Sequence, residues 1–586
     1  MDTIKSAVKW FFKTTFTVII VFAVLFFFIA AFIAKITYEN IRPDEILKGS
    51  YLVLSFPEGL TESPSDQITL QGFRAGDLNK KALTLYNVLT DIDHAAGDSR
   101  IKGIFIDLDN WSISAEHTNE ISSSLVKFKE SGKPVTALGS GLDKNNYLAA
   151  LAADEIIMDP SSSCTIILNG YSVSVPYFKD MGDKLGITVN AIHIGKYKGA
   201  GENFSRNSMS DQYKESIEKI MNDRLDLFSG SVSERRGIDR TVFTGRIDKG
   251  EMVFITPQQA LELKLVDKLM SFDDVVKEKN LKTKQLVDVS DYVIPEDNNG
   301  NAHIALIFAE GNIVDGYIET AFGDDTINPD KFEKILSRIK KDKDIKAIVL
   351  RVNSPGGSAL ASEKILRKIK NIKQEMPVVV SMGPVTASGG YYISCHADKI
   401  FADPYTITGS IGVVSLLPNF KGISEKIGIK NETIVKGKYS DIFDLTKDQS
   451  QDDIQVIRGS MEKIYTEFKA RVSEGRKISE IDLEKIAQGQ IWTGRQAKEN
   501  GLIDELGGLN SAIDEAKKLA NLDDYKIVTY PENKSIAEKI FSAEFEEKDI
   551  FSGFENSEYF QSEIAMIKNA FLFANRPALI LPVIIE

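Results

Sequence analysis

Two residues able to do chemistry together stand in different copies of one internal repeat. Ser388 lies in Pro377-Val-Val-Val-Ser-Met-Gly-Pro-Val-Thr-Ala-Ser388-Gly-Gly-Tyr-Tyr. The first half of the chain carries a related segment, Pro134-Val-Thr-Ala-Leu-Gly. Tyr147 with Tyr391, Asp154 with Asp398 and Pro160 with Pro404 all stand 244 positions apart. At that offset Ser388 faces Lys144, so the serine belongs to the second copy alone. Further on, Gly195-Lys-Tyr-Lys198 matches Gly437-Lys-Tyr-Ser440 at an offset of 242, and there the lysine belongs to the first copy alone. A serine hydroxyl attacks a carbonyl only when a base removes its proton and the oxyanion that forms is held. A lysine can be that base if burial lowers its pKa enough to leave it neutral. The pattern suggests one catalytic pair divided between two domains.

Each residue has a plainer explanation, and the repeat weighs against it. A serine before Gly-Gly at a helix start is most often a cap, and most lysines are solvated surface charges. Asn353-Ser-Pro-Gly356-Gly357-Ser358 follows an apolar strand and can turn amides toward a pocket; otherwise it is only a tight turn. At the matching place the first copy has Asn110-Trp-Ser-Ile113, so the turn forms without the glycines. Gly356 and Gly357, with Gly389 after the serine, are therefore candidate oxyanion donors. Of the five histidines only His396 is near Ser388 in sequence, and eight residues along a helix it would be about 12 Å away. His193 is close to Lys198. There is no H-E-x-x-H, no Cys/His cluster and no phosphate-binding glycine loop, so neither a metal nor a cofactor is expected.

The elements that must position these residues are α/β. Leu52-Val-Leu-Ser-Phe and its counterpart His303-Ile-Ala-Leu-Ile-Phe read as opening strands. Ala347–Val352, Val378–Ser381 and Lys399–Ala402 read as further strands, and Glu363–Lys373 has a helical period. Apolar strands alternating with helices imply parallel sheets. The expected organisation is a first domain over 48–290, a linker over 291–301, a second domain over 302–530 and a tail over 531–586. A period this long is a domain duplication. The tail's apolar run, Ala570–Ile585, is broken by Asn575-Arg-Pro577 and is too short to span a bilayer; it reads as packing onto the domain or a sister subunit, or as a peripheral membrane contact. The net charge of −13 argues against nucleic acid as a partner, and two cysteines, Cys164 and Cys395, exclude a disulfide framework.

One stretch departs from globular composition. Thr14–Ala34 is 21 residues without charge, preceded by Lys5, Lys9 and Lys13 at the end of a short segment, 1–13. About 20 apolar residues cross a bilayer, and no A-x-A cleavage site follows. A retained anchor is expected, with a cytoplasmic N-terminus and the bulk of the chain outside.

These motifs, Ser-Pro-Gly-Gly, Ala-Ser-Gly-Gly-Tyr-Tyr, Thr-Gly-Ser-Ile-Gly and Gly-x-Tyr-Lys, resemble in combination and order the long form of peptidase family S49, the bacterial signal peptide peptidases. The resemblance covers roughly residues 10 to 525 and leaves the terminal segment after about Tyr530 unmatched. It implies tandem ClpP/crotonase-type domains after a transmembrane helix, with Ser388 as nucleophile, Lys198 as general base and Ser410 of Thr408-Gly409-Ser410 orienting the lysine. It also implies a homotetramer in the bacterial inner membrane, catalytic domains on the periplasmic side, cleaving apolar peptides that include cleaved signal-peptide remnants. Two other readings stay open on the residues: a crotonase-like acyl-CoA enzyme, and a non-catalytic membrane scaffold.

Overall fold

A computed structural model describes residues 46–63, 83–292, 294, 302–316, 326–531 and 578–580. The Thr14–Ala34 run lies outside them. Among the described residues no helix is long and apolar enough to cross a membrane.

Two mixed α/β layers repeat one strand order. In the first, Glu155–Met158, Val135–Gly139, Ile101–Trp111, Ser50–Phe56 and Leu286–Asp288 lie side by side, all parallel. In the second the same places go to Lys399–Ala402, Val378–Ala387, Ile345–Ser354, His303–Glu310 and Lys526–Tyr530, again parallel. The central strands are buried on both faces; only Lys346 is exposed along Ile345–Ser354, as parallel strands with helices on either side require.

The residues kept in both copies are explained by this frame. Tyr147 and Tyr391 each donate a buried hydroxyl to a backbone carbonyl 2.8 Å away, of Leu265 and Leu502 respectively. Asp154 and Asp398 each accept the backbone N–H that opens the preceding, neighbouring strand, at Val135 and Val378, both at 2.9 Å. Asp267 and Asp504 each accept the N–H of the second residue of a strand, Ile156 and Ile400. The shared residues hold the fold, which leaves the unshared ones for chemistry. Tyr292, within the expected linker, is buried and donates to Asp98 of the first half at 3.0 Å. Cys164 and Cys395 are buried free thiols.

A third sheet ties the halves together. Its order is Thr326–Ile327, Asn312–Ile313, Gly356–Ser358, Ala578–Ile580, Val413–Asn419 and Thr188–Ile194. The last strand is an arm of the first half, and it pairs antiparallel with Val413–Asn419 of the second over seven residues. A buried ion cluster adds a second tie. Arg351, fully buried in the second half, donates to Glu62 at 2.8 and 2.9 Å and to Glu120 at 2.7 Å.

Candidate active site

Ser388 is set where the strand Val378–Ala387 stops and the short helix Gly389–Ser394 begins. Its backbone is at φ 55°, ψ −111°, a conformation L-residues rarely adopt and one that concentrates at functional sites. The N–H of Ser388 donates to Gly409 O at 2.8 Å, which pins the turn. Its side chain makes no capping hydrogen bond, so the helix-cap explanation fails. The first copy shows what a cap looks like at this place: Asp143 accepts from Asn145 and Asn146 with an ordinary extended backbone.

Lys198 arrives from the first half on the loop that follows the Thr188–Ile194 arm, and only 1% of it is exposed. Its Nζ lies 2.8 Å from Ser388 Oγ, 2.9 Å from Ser410 Oγ and 3.0 Å from the Ser410 carbonyl oxygen. Burial pushes its pKa well below the usual lysine range. No carboxylate pairs with it among the described residues. Its counterpart Ser440 occupies the same kind of turn, with Gly437 at φ 115° against 108° for Gly195, but is exposed. The turn is common to both copies; only the first buries it against the other half.

Ser410 also has a positive φ, 52°, and its N–H donates to Gln490 O at 2.6 Å. Thr408 Oγ1 donates to Thr386 O at 2.6 Å and Thr386 in turn to Val352 O, which locks the three strands behind the site. Gly356 and Gly357 stand beside Gly389. A Cβ on Gly389 would come within 3.1 Å of Gly356 Cα and of Gly357 N. The Gly356 N–H donates to Ser354 Oγ at 3.2 Å. Gly357, at φ 151°, is packed so closely on Ile313 that any side chain would overlap its backbone. The glycines are thus a steric requirement of this loop, and they put Gly357 N near the first amides of a helix, which have no intrahelical partner.

The histidines stay apart from this cluster. The helix ends at Ser394, so His396 lies beyond it, not eight residues along it, and faces Glu474 at 3.7 Å. His193 is bonded to the Ala200 carbonyl at 2.7 Å.

Two residues absent from the motifs complete the site. Gln488 O accepts the Tyr197 N–H at 2.9 Å, and its side chain accepts the Lys196 N–H at 3.0 Å. Gly489, at φ 79°, abuts Lys198 so closely that a Cβ would sit 2.6 Å from Lys198 N and Cβ. Comparing the copies would have found it. At the offset of 237 that aligns Thr256 with Thr493, Gly489 faces Met252.

A family model, Peptidase family S49, matches residues 127–286 and 370–523, one segment in each half. Protease 4 of Haemophilus influenzae is 34% identical over 469 residues, covering 76% of this chain and 74% of that protein. Protease 4 of Salmonella typhi is 33% identical over 514 residues, covering 84% and 82%. A chloroplastic serine protease SPPA of Arabidopsis thaliana is 31% identical over 519 residues, covering 85% and 76%. With both halves matched and three proteases similar over most of their length, the chain belongs to peptidase family S49 and is a serine protease.

Proposed function

We propose that hydrolysis runs on a Ser388–Lys198 dyad, and the single observation that carries this reading is the 2.8 Å contact between Lys198 Nζ and Ser388 Oγ across the two halves. The neutral amine donates its two N–H groups to the carbonyl and hydroxyl oxygens of Ser410 and keeps its lone pair for the Ser388 O–H. Ser410 thus orients the base. Lys198 takes the Ser388 proton as Oγ attacks a peptide carbonyl, and the amides of Gly357 and Gly389 face the developing oxyanion. Protonated Lys198 then gives its proton to the leaving amine. Water, deprotonated by the same amine, releases the acyl group from Ser388 and restores the hydroxyl.

Twin ClpP/crotonase-type domains behind a membrane anchor at Thr14–Ala34 fit this chemistry. The anchor places the domains on the extracytoplasmic side of a bacterial inner membrane, where apolar peptides such as cleaved signal-peptide remnants leave the bilayer. Assembly into a homotetramer is the quaternary form proposed with it. Ser388→Ala and Lys198→Ala test the dyad: each is expected to abolish cleavage of an apolar fluorogenic peptide while circular dichroism stays native. Full turnover by either variant overturns it.

A further inference from the structure

The turn before the middle strand of each half has one backbone in both copies but different charges. In the first half it is Asp98-Ser-Arg100-Ile101; 244 positions on, it is Asp342-Lys-Asp344-Ile345. The Arg100 and Asp344 N–H groups each donate to the aspartate two residues earlier, at 2.9 Å. Their carbonyls each accept the N–H that opens the neighbouring strand, from Ser50 at 3.0 Å and from His303 at 2.8 Å. Ser50 pairs with Ile101 and His303 with Ile345, so the two registers start alike.

The side chains on this shared frame differ. In the first half the Arg100 guanidinium lies on the Asp98 carboxylate, with contacts of 2.7 to 3.1 Å. In the second half Asp344 puts a carboxylate where that cation would be, and His303 puts an imidazole where the first copy has a serine. Carboxylate oxygens of Asp342 and Asp344 and a ring nitrogen of His303 all lie within 4.8 Å of one another. His303 Nδ1 is cut off from solvent and has no hydrogen-bond partner. Asp342 Oδ2 faces it at 3.8 Å, too far for a hydrogen bond. Lys346 turns away to the Lys343 carbonyl. Among the described residues, neither aspartate has a lysine or arginine within ion-pair distance.

We propose that His303, Asp342 and Asp344 bind a divalent transition-metal cation, zinc by the nature of the donors, at the place the first copy gives to the Arg100 guanidinium. One imidazole nitrogen and two carboxylate oxygens suit zinc at about 2.0–2.2 Å each, with water as the fourth ligand. Magnesium and calcium prefer oxygen ligands throughout. The 3.8 Å between His303 Nδ1 and Asp342 Oδ2 admits an ion bonded to both, and a rotation of the exposed Asp344 side chain closes the third side. Asp342 Oδ1 accepts the Asp344 N–H, which fixes the carboxylate and leaves Oδ2 for the metal. The ion's two charges offset both carboxylates, as the guanidinium offsets Asp98. Closely spaced motifs do not reveal such a site: His303 stands 39 positions before Asp342, and only the sheet brings them together. Ser388 follows the opposite end of these parallel strands, roughly 30 Å away along the ten residues of Ile345–Ser354. The metal's role is therefore structural, tying the first strand of the second half to the turn before its middle one.

Calorimetric titration of zinc into the full-length, chelator-treated protein tests this. One zinc per chain is expected. His303→Ala should weaken binding by more than about a hundredfold, because even groups that only support metal ligands are worth about 10- to 100-fold. Asp344→Arg rebuilds the first copy's pair, so it should lose the zinc site yet melt higher than the metal-free wild type. Added zinc should raise the melting temperature of the wild type and leave both variants where they were. Equal zinc affinity in the wild type and both variants would put the metal elsewhere and overturn the assignment. So would the lack of one-to-one binding in the wild type, or a preference for magnesium or calcium that His303→Ala leaves intact.

Discussion

The proposed dyad asks Lys198 to act as a base in a place that charge avoids. Burial is the one cause that lowers its pKa, and among the described residues no anion opposes it. Turnover should therefore rise with pH through a group titrating well below the ordinary lysine value of 10.5, and a pH–rate profile checks this. The same burial has a cost in stability, whose sign follows from proton binding. Above the folded pKa and below the ordinary one, the unfolded chain holds a proton at Lys198 that the folded chain does not, so folding is penalised there. The penalty shrinks as pH rises toward the ordinary value and disappears above it. Lys198→Met should be inactive yet melt higher than the wild type at pH 7, with the gap closing toward pH 10. Equal melting temperatures at both pH values would mean the lysine is not desolvated. Ser388 and Lys198 were legible because the two copies disagree at those positions. Their pairing was an inference from that asymmetry and from the family resemblance; the order of residues alone does not show how a loop at 198 folds over a turn at 388.

The elements around the site show where propensity runs out. Strands and helices could be read from apolar runs, and the second copy's strands fall where those runs are. Gly489 could not be read from propensity; it is glycine because the backbone of Lys198 lies against it. Gly489→Ala would add a Cβ at positive φ and push the lysine off its position. A displacement near 1 Å costs about a hundredfold in rate, so kcat should drop by about that factor with a much smaller change in KM, as steady-state kinetics would show. The ion cluster is another feature formed only by tertiary contact, because Arg351 reads as one more residue of an apolar strand. Burial pushes the Glu62 carboxyl up, but the charges of Arg351 and His117 outweigh it and hold it down at about 2. In the wild type this contribution is present above the ordinary value of 4.5 and is lost as pH falls toward 2. Arg351→Met would take the buried guanidinium away from two buried carboxylates, Glu62 and Glu120, and cost about 3–5 kcal/mol at neutral pH. The loss should shrink as acid protonates them, the reverse of the wild-type trend, and urea unfolding at pH 7 and pH 5 would show it.

At the scale of the whole molecule the repeat is used once within the chain and left open at both ends. The first half's arm, Thr188–Ile194, is seated on Val413–Asn419 of the second. At the 242 offset the arm's counterpart is Lys430–Lys436, which forms no strand and is exposed, with Ile434 at 95% and Ile427 also outside. The counterpart of the receiving strand is Tyr171–Tyr177, likewise unpaired as a strand. An arm at one end and a receiving edge at the other are complementary, and different, surfaces of one molecule. Such a heterologous contact closes into a ring or continues as a filament, and the homotetramer proposed above is a closed case. Repeating the internal joint between chains would also bury the isoleucines that now face solvent. That second joint brings no further dyad with it, because Lys430–Lys436 leads to Ser440 and the first half has no counterpart of Ser388. In the proposed reading each chain holds both residues of its dyad in the same polypeptide. Ile434→Asp should therefore separate assembly from chemistry: sedimentation velocity should show single chains where the wild type sediments as a larger species, while kcat per chain stays within about threefold. An unchanged sedimentation coefficient would exclude this arm as the joint between chains, and loss of turnover in the separated chains would mean that the site borrows something from its neighbour.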